Sequence, residues 1–150
     1  MTAPTGLFWQ DMEVGSSQIT MSRTVTETDL VTFTNWFGFT ERLFLEAGYA
    51  ETEGYKARLV PGALTYCIAE GLTLQTRDLY GTGLAFMHAD VSVKSPVYVG
   101  DTLRVRVTVE KTRAASKGAR GVVETVNEVL NQHDEVVLVF RPTRLVRGRE

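Results

Sequence analysis

Only one cysteine, Cys67, occurs in the 150 residues, which excludes an internal disulfide and a cysteine-based metal cluster. It sits inside an apolar run and reads as a small core hydrophobe rather than a nucleophile. Histidine is nearly as scarce, with only His88 and His133 available for imidazole chemistry. No apolar run approaches membrane-spanning length, and the start "MTAPTGLFWQDMEVG" lacks a basic flank followed by an apolar stretch, so a cytoplasmic protein is expected. No ligand cluster or dinucleotide motif is present, so neither a metal nor a bound redox cofactor is expected; "GTG" at Gly81–Gly83 reads as a turn. A formal net charge of -2 gives no global positive field for nucleic acid or an acidic membrane surface. Basic residues do gather at the end, in Arg141, Arg144, Arg147 and Arg149, and read as a solvated tail or, more sharply, a local anion site.

What is present is the balance of an ordinary globular chain, 43% hydrophobic and 23% charged, at a length that suits one domain over residues 1–150. "SSQITMSRTV" places Ile19, Met21 and Val25 at odd positions, which predicts a half-buried strand over Ser16–Val25. Thr26 with Asp29 three residues on forms a capping-box pattern, followed by an apolar stripe of Leu30, Val31, Phe33, Trp36 and Phe37. Gly38 suits the left-handed residue that ends such a helix. A short helix is expected around Leu43–Ala50, and "ETEGYKAR" reads as a loop.

In "VPGALTYCIAEGLTLQTRDLYG", Pro61 and Gly62 mark a helix start. Ala63, Leu64, Tyr66, Cys67, Ile68, Ala69, Leu72 and Leu74 then surround most of the axis, so the helix is predicted to be buried on nearly all sides. In so short a chain, only a sheet curled about it supplies that burial. "AFMHADVSVKSPV" alternates through Met87, Ala89, Val91 and Val93, and "TLRVRVTVEK" alternates Leu103, Val105, Val107 and Val109 against polar residues. "GVVETVNEVL" and "EVVLVFRPTRLV" add two strands joined by the turn "NQHD". One strand, then helices, then four consecutive strands is the α+β layout of an antiparallel sheet covered on one face.

The segments "LFWQDMEVG", "TVTETDLVTF", "RLVPGAL" and "SPVYVGDTLRVRVTV", in this order, resemble the MaoC-like dehydratases, relatives of the (R)-specific enoyl-CoA hydratases. The most specific is the Pro-Val-x-x-Gly-Asp turn between strands. The resemblance implies the hotdog fold, a curled antiparallel sheet wrapped around a long central helix. It also implies action on acyl thioesters of coenzyme A or acyl carrier protein, adding water to a 2-enoyl chain or removing it. The family's catalytic motif carries an Asp shortly after a glycine and a His five residues beyond that Asp. Aligned on Gly38, this chain has Phe39 at the Asp and Phe44 at the His, with Glu41 and Arg42 at the Asn and Pro positions between them.

Three readings of that gap stay open, with hydratase or dehydratase activity favoured over a thioesterase and a catalytically silent binding subunit close behind. The acid–base groups are rebuilt from nearby residues: Glu41 first because it lies within the replaced motif, Glu46 second, with Tyr49 and Glu51 close by. A carboxylate facing two phenylalanines would have its pKa raised by desolvation, as a general acid needs. Alternatively Phe39 and Phe44 line an apolar pocket that binds a thioester without turning it over, alone or as partner to a complete hydratase; their bland role is core filling. Thirdly, the fold also hosts thioesterases, for which His88 is the nearest candidate; strand alternation points it away from the helix, and His133 falls in an exposed turn. By resemblance, the Gly62 N–H holds the thioester carbonyl oxygen, at a helix start whose free N–H groups and dipole favour negative charge. A homodimer is expected, since one curled sheet leaves an edge bare.

Overall fold

The computed structural model describes residues 6–150; the part of the N-terminal reading that falls on residues 1–5 lies outside the described residues. A 3-10 turn at Trp9–Asp11 precedes the first strand. The expected single strand is broken into β1 (Ser17–Ile19) and β2 (Arg23–Thr24), both paired antiparallel with β4 (Thr102–Ala114). Its burial is the reverse of the expectation: Ile19 and Met21 are 54% and 63% exposed, whereas Thr20 is buried. Val25 is buried as expected. The cause lies in the break, where the Thr20 hydroxyl accepts from the Val105 N–H at 2.9 Å and the Thr20 N–H donates to the Val105 carbonyl. That exchange turns Thr20 inward and its two apolar neighbours outward.

Helix α1 (Glu27–Phe37) starts on the predicted capping box. The Asp29 N–H donates to the Thr26 hydroxyl at 3.1 Å, and the Thr26 N–H donates to the Asp29 carboxylate at 2.9 Å. It ends at Gly38 with φ 69° and ψ 34°, the left-handed conformation anticipated there. Most of its apolar stripe is not core. Leu30 and Thr34 are buried and Phe33 packs against the core, but Trp36 and Phe37 are 81% and 60% exposed. The short helix around Leu43–Ala50 is two pieces, α2 (Arg42–Leu45) and α3 (Ala47–Thr52), separated by an extended Glu46.

Helix α4 (Gly62–Gln75) buries Leu64, Ile68, Ala69 and Leu72 against Leu103, Val105 and Val107 of β4 and against Phe140. Burial is one-sided rather than complete: Ala63, Cys67 and Leu74 are exposed, so Cys67 is no core residue. The sheet covers one flank of the helix, and on the other Cys67 and Gly71 share an open groove with Phe33 and Phe37 of α1. The sheet is antiparallel in the order β1-β4-β5-β6-β3, with β3 (Gly83–Val93), β5 (Arg120–Leu130) and β6 (Val136–Arg147) completing it.

Two further expectations are corrected by the register. A bulge between Phe86 and His88 breaks the alternation of β3. Phe86, rather than Met87, lies on the helix side, under the Arg144 guanidinium at 5.2 Å. Of the terminal arginines, Arg141, Arg147 and Arg149 are exposed as expected, but Arg144 is not solvated. Alternation from Phe140 carries Arg144 to the inner face, where it is 8% exposed and pairs with Glu70 of α4 at 2.5 Å. Arg141 pairs with Glu110 and Arg149 with Asp11.

The cap of α1 has a pH signature. Burial pushes the Asp29 carboxyl up, but hydrogen bonds from the Thr26 backbone and side chain, with the Arg23 guanidinium alongside, outweigh it and hold the pKa below its ordinary value. A carboxylate lowered in the folded state stabilises above the unfolded value, about 3.9, and loses that contribution as pH falls through the folded value. Asp29→Asn is expected to cost about 0.5–1 kcal/mol at neutral pH. It should also flatten the acid limb of stability, read by urea unfolding between roughly pH 5 and pH 2.

Candidate active site

The start of α4 is set by its surroundings before any ligand is considered. The Val60 N–H donates to the Val97 carbonyl and the Leu59 N–H to the Leu43 carbonyl, both at 2.9 Å, which delivers the chain to Pro61 along a fixed path. The Pro61 carbonyl accepts from the N–H groups of Leu64 and Thr65 at 2.9 and 3.1 Å. The N–H groups of Gly62 and Ala63 have no partner among the described residues, as the first turn of a helix dictates. Space is tight on the β3 side: a Cβ at Gly62 would stand 2.9 Å from a Val93 methyl. Glycine at this position thus lets backbone approach β3 and leaves its N–H open.

A cavity of about 310 Å³ opens at this end of the helix. Phe44 and Tyr55 form part of its wall, Gly62 and Thr65 come from the first turn of α4, and Val93 and Lys94 come from the end of β3. Its lining contains no Asp, Glu or His. Two of the residues singled out in the sequence, Phe44 and Gly62, therefore meet in one cavity, and Phe39 stands behind Phe44. The rings of Phe33 and Phe39 meet edge-on at 4.9 Å, and those of Phe39 and Phe44 are tilted, with centroids 6.3 Å apart. Phe33 packs on the core, so the two phenylalanines form a half-buried aromatic file leading from the core to the cavity.

The candidate carboxylates lie elsewhere. Glu41 is exposed at the start of α2, and neither it nor Glu46 lines the cavity. Arg42 grips Glu46 through two hydrogen bonds of 2.9 and 3.0 Å and lies over the Tyr49 ring at 4.1 Å. The hydrogen bond from Arg42 holds the Glu46 pKa below the ordinary carboxylate value, opposite in direction to what desolvation against phenylalanine would do. Glu51 is exposed on α3. His88 is exposed on the outer side of β3, 3.4 Å from Asp90, and His133 is exposed in its turn.

Sequence reasoning passed over Thr65, Tyr55 and the Glu70–Arg144 pair. Thr65 was detectable by its three-residue spacing from Gly62 on the same helix. Tyr55 was not, because a loop residue carries no periodicity. Tyr66 and Glu70 follow Gly62 at helical spacing, and burial, with Glu70 nearby, pushes the Tyr66 phenol up. Arg144 also borders a second cavity of about 280 Å³ under the far end of α4, lined by Thr73, Leu79 and Val109 but by neither Gly62 nor Phe44. Among the described residues, no three His, Cys, Asp or Glu side chains converge as a metal would need. No helix among them is long and apolar enough to cross a membrane.

Comparison with known proteins agrees with this geometry. The family model for the FAS1-like, dehydratase domain region matches residues 13–140. The chain is 30% identical over 147 residues, 97% of its length, to beta-methylmalyl-CoA dehydratase of Chloroflexus aurantiacus, but spans only 41% of that relative. It is 29% identical over 102 residues to the (R)-specific enoyl-CoA hydratase of Rhodospirillum rubrum, covering 68% of this chain and 69% of that one. A solved structure from Chloroflexus aurantiacus, described as a putative MaoC domain protein dehydratase, superposes with a TM-score of 0.91 at 28% identity. It covers all of this chain and 43% of its own length. With the helix, the curled sheet and the glycine start of α4 all in place, the chain belongs to the FAS1-like dehydratase domain region and, within it, to the MaoC-like dehydratases of hotdog fold.

Proposed function

We propose that the chain binds acyl thioesters of coenzyme A or acyl carrier protein in the cavity at the start of α4, with the Gly62 N–H holding the thioester carbonyl oxygen. The observation that carries this reading is the meeting of an unpartnered N–H and the Phe44 ring in a cavity whose lining has no carboxylate or imidazole. An amide and helix dipole aimed at the carbonyl stabilise the charge that grows there as an enolate forms. Adding water to an enoyl chain also requires one proton to leave the water and one to reach Cα, and each transfer needs a group within hydrogen-bond reach. The lining offers no carboxylate or imidazole for these transfers; its titratable groups are Tyr55 and the exposed Lys94. Binding is thus the function the site serves most directly, and hydratase chemistry of the usual carboxylate kind needs Glu41, inside the replaced motif, or a partner protein to reach in.

The second part of the proposal is assembly. Strand β3 is an edge with Phe86, Met87, Val91 and Val93 each at least 45% exposed, and the open flank of α4 adds Cys67 and Leu74. The dehydratase relative from Chloroflexus has more than twice the length this chain spans. A second copy of the chain would supply a comparable mass and cover the bare edge. Light scattering at micromolar concentration is expected to give twice the 16.7 kDa of the chain; the mass of one chain would count against this assembly.

Saturated acyl-CoA is expected to bind in calorimetry, while crotonyl-CoA is hydrated slowly or not at all, read from loss of enoyl absorbance. Glu41→Gln and Glu46→Gln should then leave the residual rate alike. A fall of about 10²–10⁴-fold in the Glu41 variant only would assign it the acid–base role and sink the binding-only reading. Release of free thiol would move the assignment to a thioesterase.

A further inference from the structure

Three threonines are buried in helices, and they are not alike. The Thr34 hydroxyl donates to the Leu30 carbonyl at 2.9 Å, and the Thr73 hydroxyl to the Ala69 carbonyl at 3.0 Å, each the carbonyl four residues back. Thr65 has no such outlet. Four residues back lies Pro61, whose carbonyl already takes the N–H groups of Leu64 and Thr65. The Thr65 hydroxyl, on a residue only 2% exposed, is left with no partner among the described residues. Burying a hydroxyl unpaired is costly, and such a group calls for an explanation.

Its location supplies one. Thr65 lines the cavity that holds Gly62 and Phe44, and it is the one fully buried polar side chain in that lining; Tyr55 and Ser95 are half-buried and Lys94 is exposed. Residues three apart on a helix are neighbours, about 5–6 Å between their Cβ atoms. A thioester oxygen on the Gly62 N–H therefore sets the first carbons of the acyl chain alongside Thr65. A helical threonine has two favoured χ1 rotamers, so a single rotation exchanges its methyl and hydroxyl at the cavity wall.

We propose that Thr65 is a specificity-determining positioning residue: resting on the thioester assignment above, its hydroxyl bonds an oxygen on Cβ of the acyl chain, so the site prefers 3-hydroxyacyl thioesters to unsubstituted ones. The oxygen on Cβ lies two carbons from the thioester carbonyl carbon, within one helical turn of Gly62. An acyl chain without it offers that hydroxyl no partner. The chain thereby gains a polar contact at the carbon where the usual family pair would act, although Phe39 and Phe44 occupy the positions of that pair.

The test compares calorimetric affinities for 3-hydroxybutyryl-CoA and butyryl-CoA in the wild type, Thr65→Val and Thr65→Ser. Valine keeps the shape and removes the hydroxyl; serine keeps the hydroxyl. The wild type and Thr65→Ser are expected to prefer the hydroxylated ligand by roughly tenfold, and Thr65→Val to bind both equally. The melting temperature of Thr65→Val should hold or rise, because an unpaired hydroxyl has gone. A wild type that binds both ligands equally overturns the role of Thr65 while leaving the thioester assignment standing. So does a Thr65→Val variant that keeps the preference, or one that melts several degrees lower and so reveals an internal bond. Failure to bind either thioester overturns both.

Discussion

Helix α4 answers two opposed demands, and the rest of the structure follows from how it does so. Its middle buries Leu64, Ile68, Ala69 and Leu72 against the concave sheet, while its first turn keeps the Gly62 N–H free at a cavity and the Ala63 N–H free on an exposed residue. Burial of that apolar stripe holds the helix in place, at roughly 1.5–3 kcal/mol for each large side chain. The free Gly62 N–H is tolerable only because the cavity admits water or ligand. Fourteen residues span about 21 Å, so the same helix reaches from Gly62 to the second cavity bordered by Arg144. The Glu70–Arg144 pair near that end is held under tight constraint. Two charges taken mostly out of water repay their desolvation only in good geometry, and losing one partner costs several kcal/mol.

What could be read from the sequence follows the range of the forces involved. Thr26 with Asp29, and Gly38 ending the same helix, are local devices whose partners lie within three or four residues, and they stand as the pattern says. The alternation of Leu103, Val105 and Val107 is equally plain, because β4 is central and has one face to bury. Ile19, Met21, Cys67 and Met87 misled for a common reason. Each lies on an edge, at a bulge or on an uncovered flank, where hydrophobicity no longer reports burial within one chain. Arg144 misled in the opposite direction, since its burial depends on a glutamate 74 residues away. At the candidate site, Gly62 and Phe44 were legible from motif position, whereas the unpaired state of Thr65 emerges only when every nearby carbonyl is accounted for.

Phe39 and Phe44 set the physics of this side of the site. The Phe33–Phe39 contact, with Phe44 following, joins core to cavity through edge-on and tilted rings, an arrangement worth about 0.5–1.5 kcal/mol for each well-packed pair. A carboxylate placed at position 39 would sit between two rings, with its charged form disfavoured by desolvation. The chain places its nearby carboxylates in water instead. Glu41 is free at the surface, and Glu46 is fixed to Arg42 with its pKa held down. An apolar wall beside the Gly62 N–H suits the proposed thioester binding better than carboxylate-driven proton transfer.

The uncovered side of the molecule bears on the same site. Val93, whose methyl stands close to Gly62, ends the edge strand β3, so whatever binds that edge also fixes the mouth of the cavity. The strand is not a uniform template for association. Its register with β6 shifts between Gly83 and Ala85 and again between Phe86 and His88, which leaves His88–Val93 as the regular stretch. Bulges of this kind limit edge-to-edge pairing to few registers. A second copy docking there would thus be guided to the segment nearest Gly62. Pairing and completion of the cavity wall would then be one event rather than two.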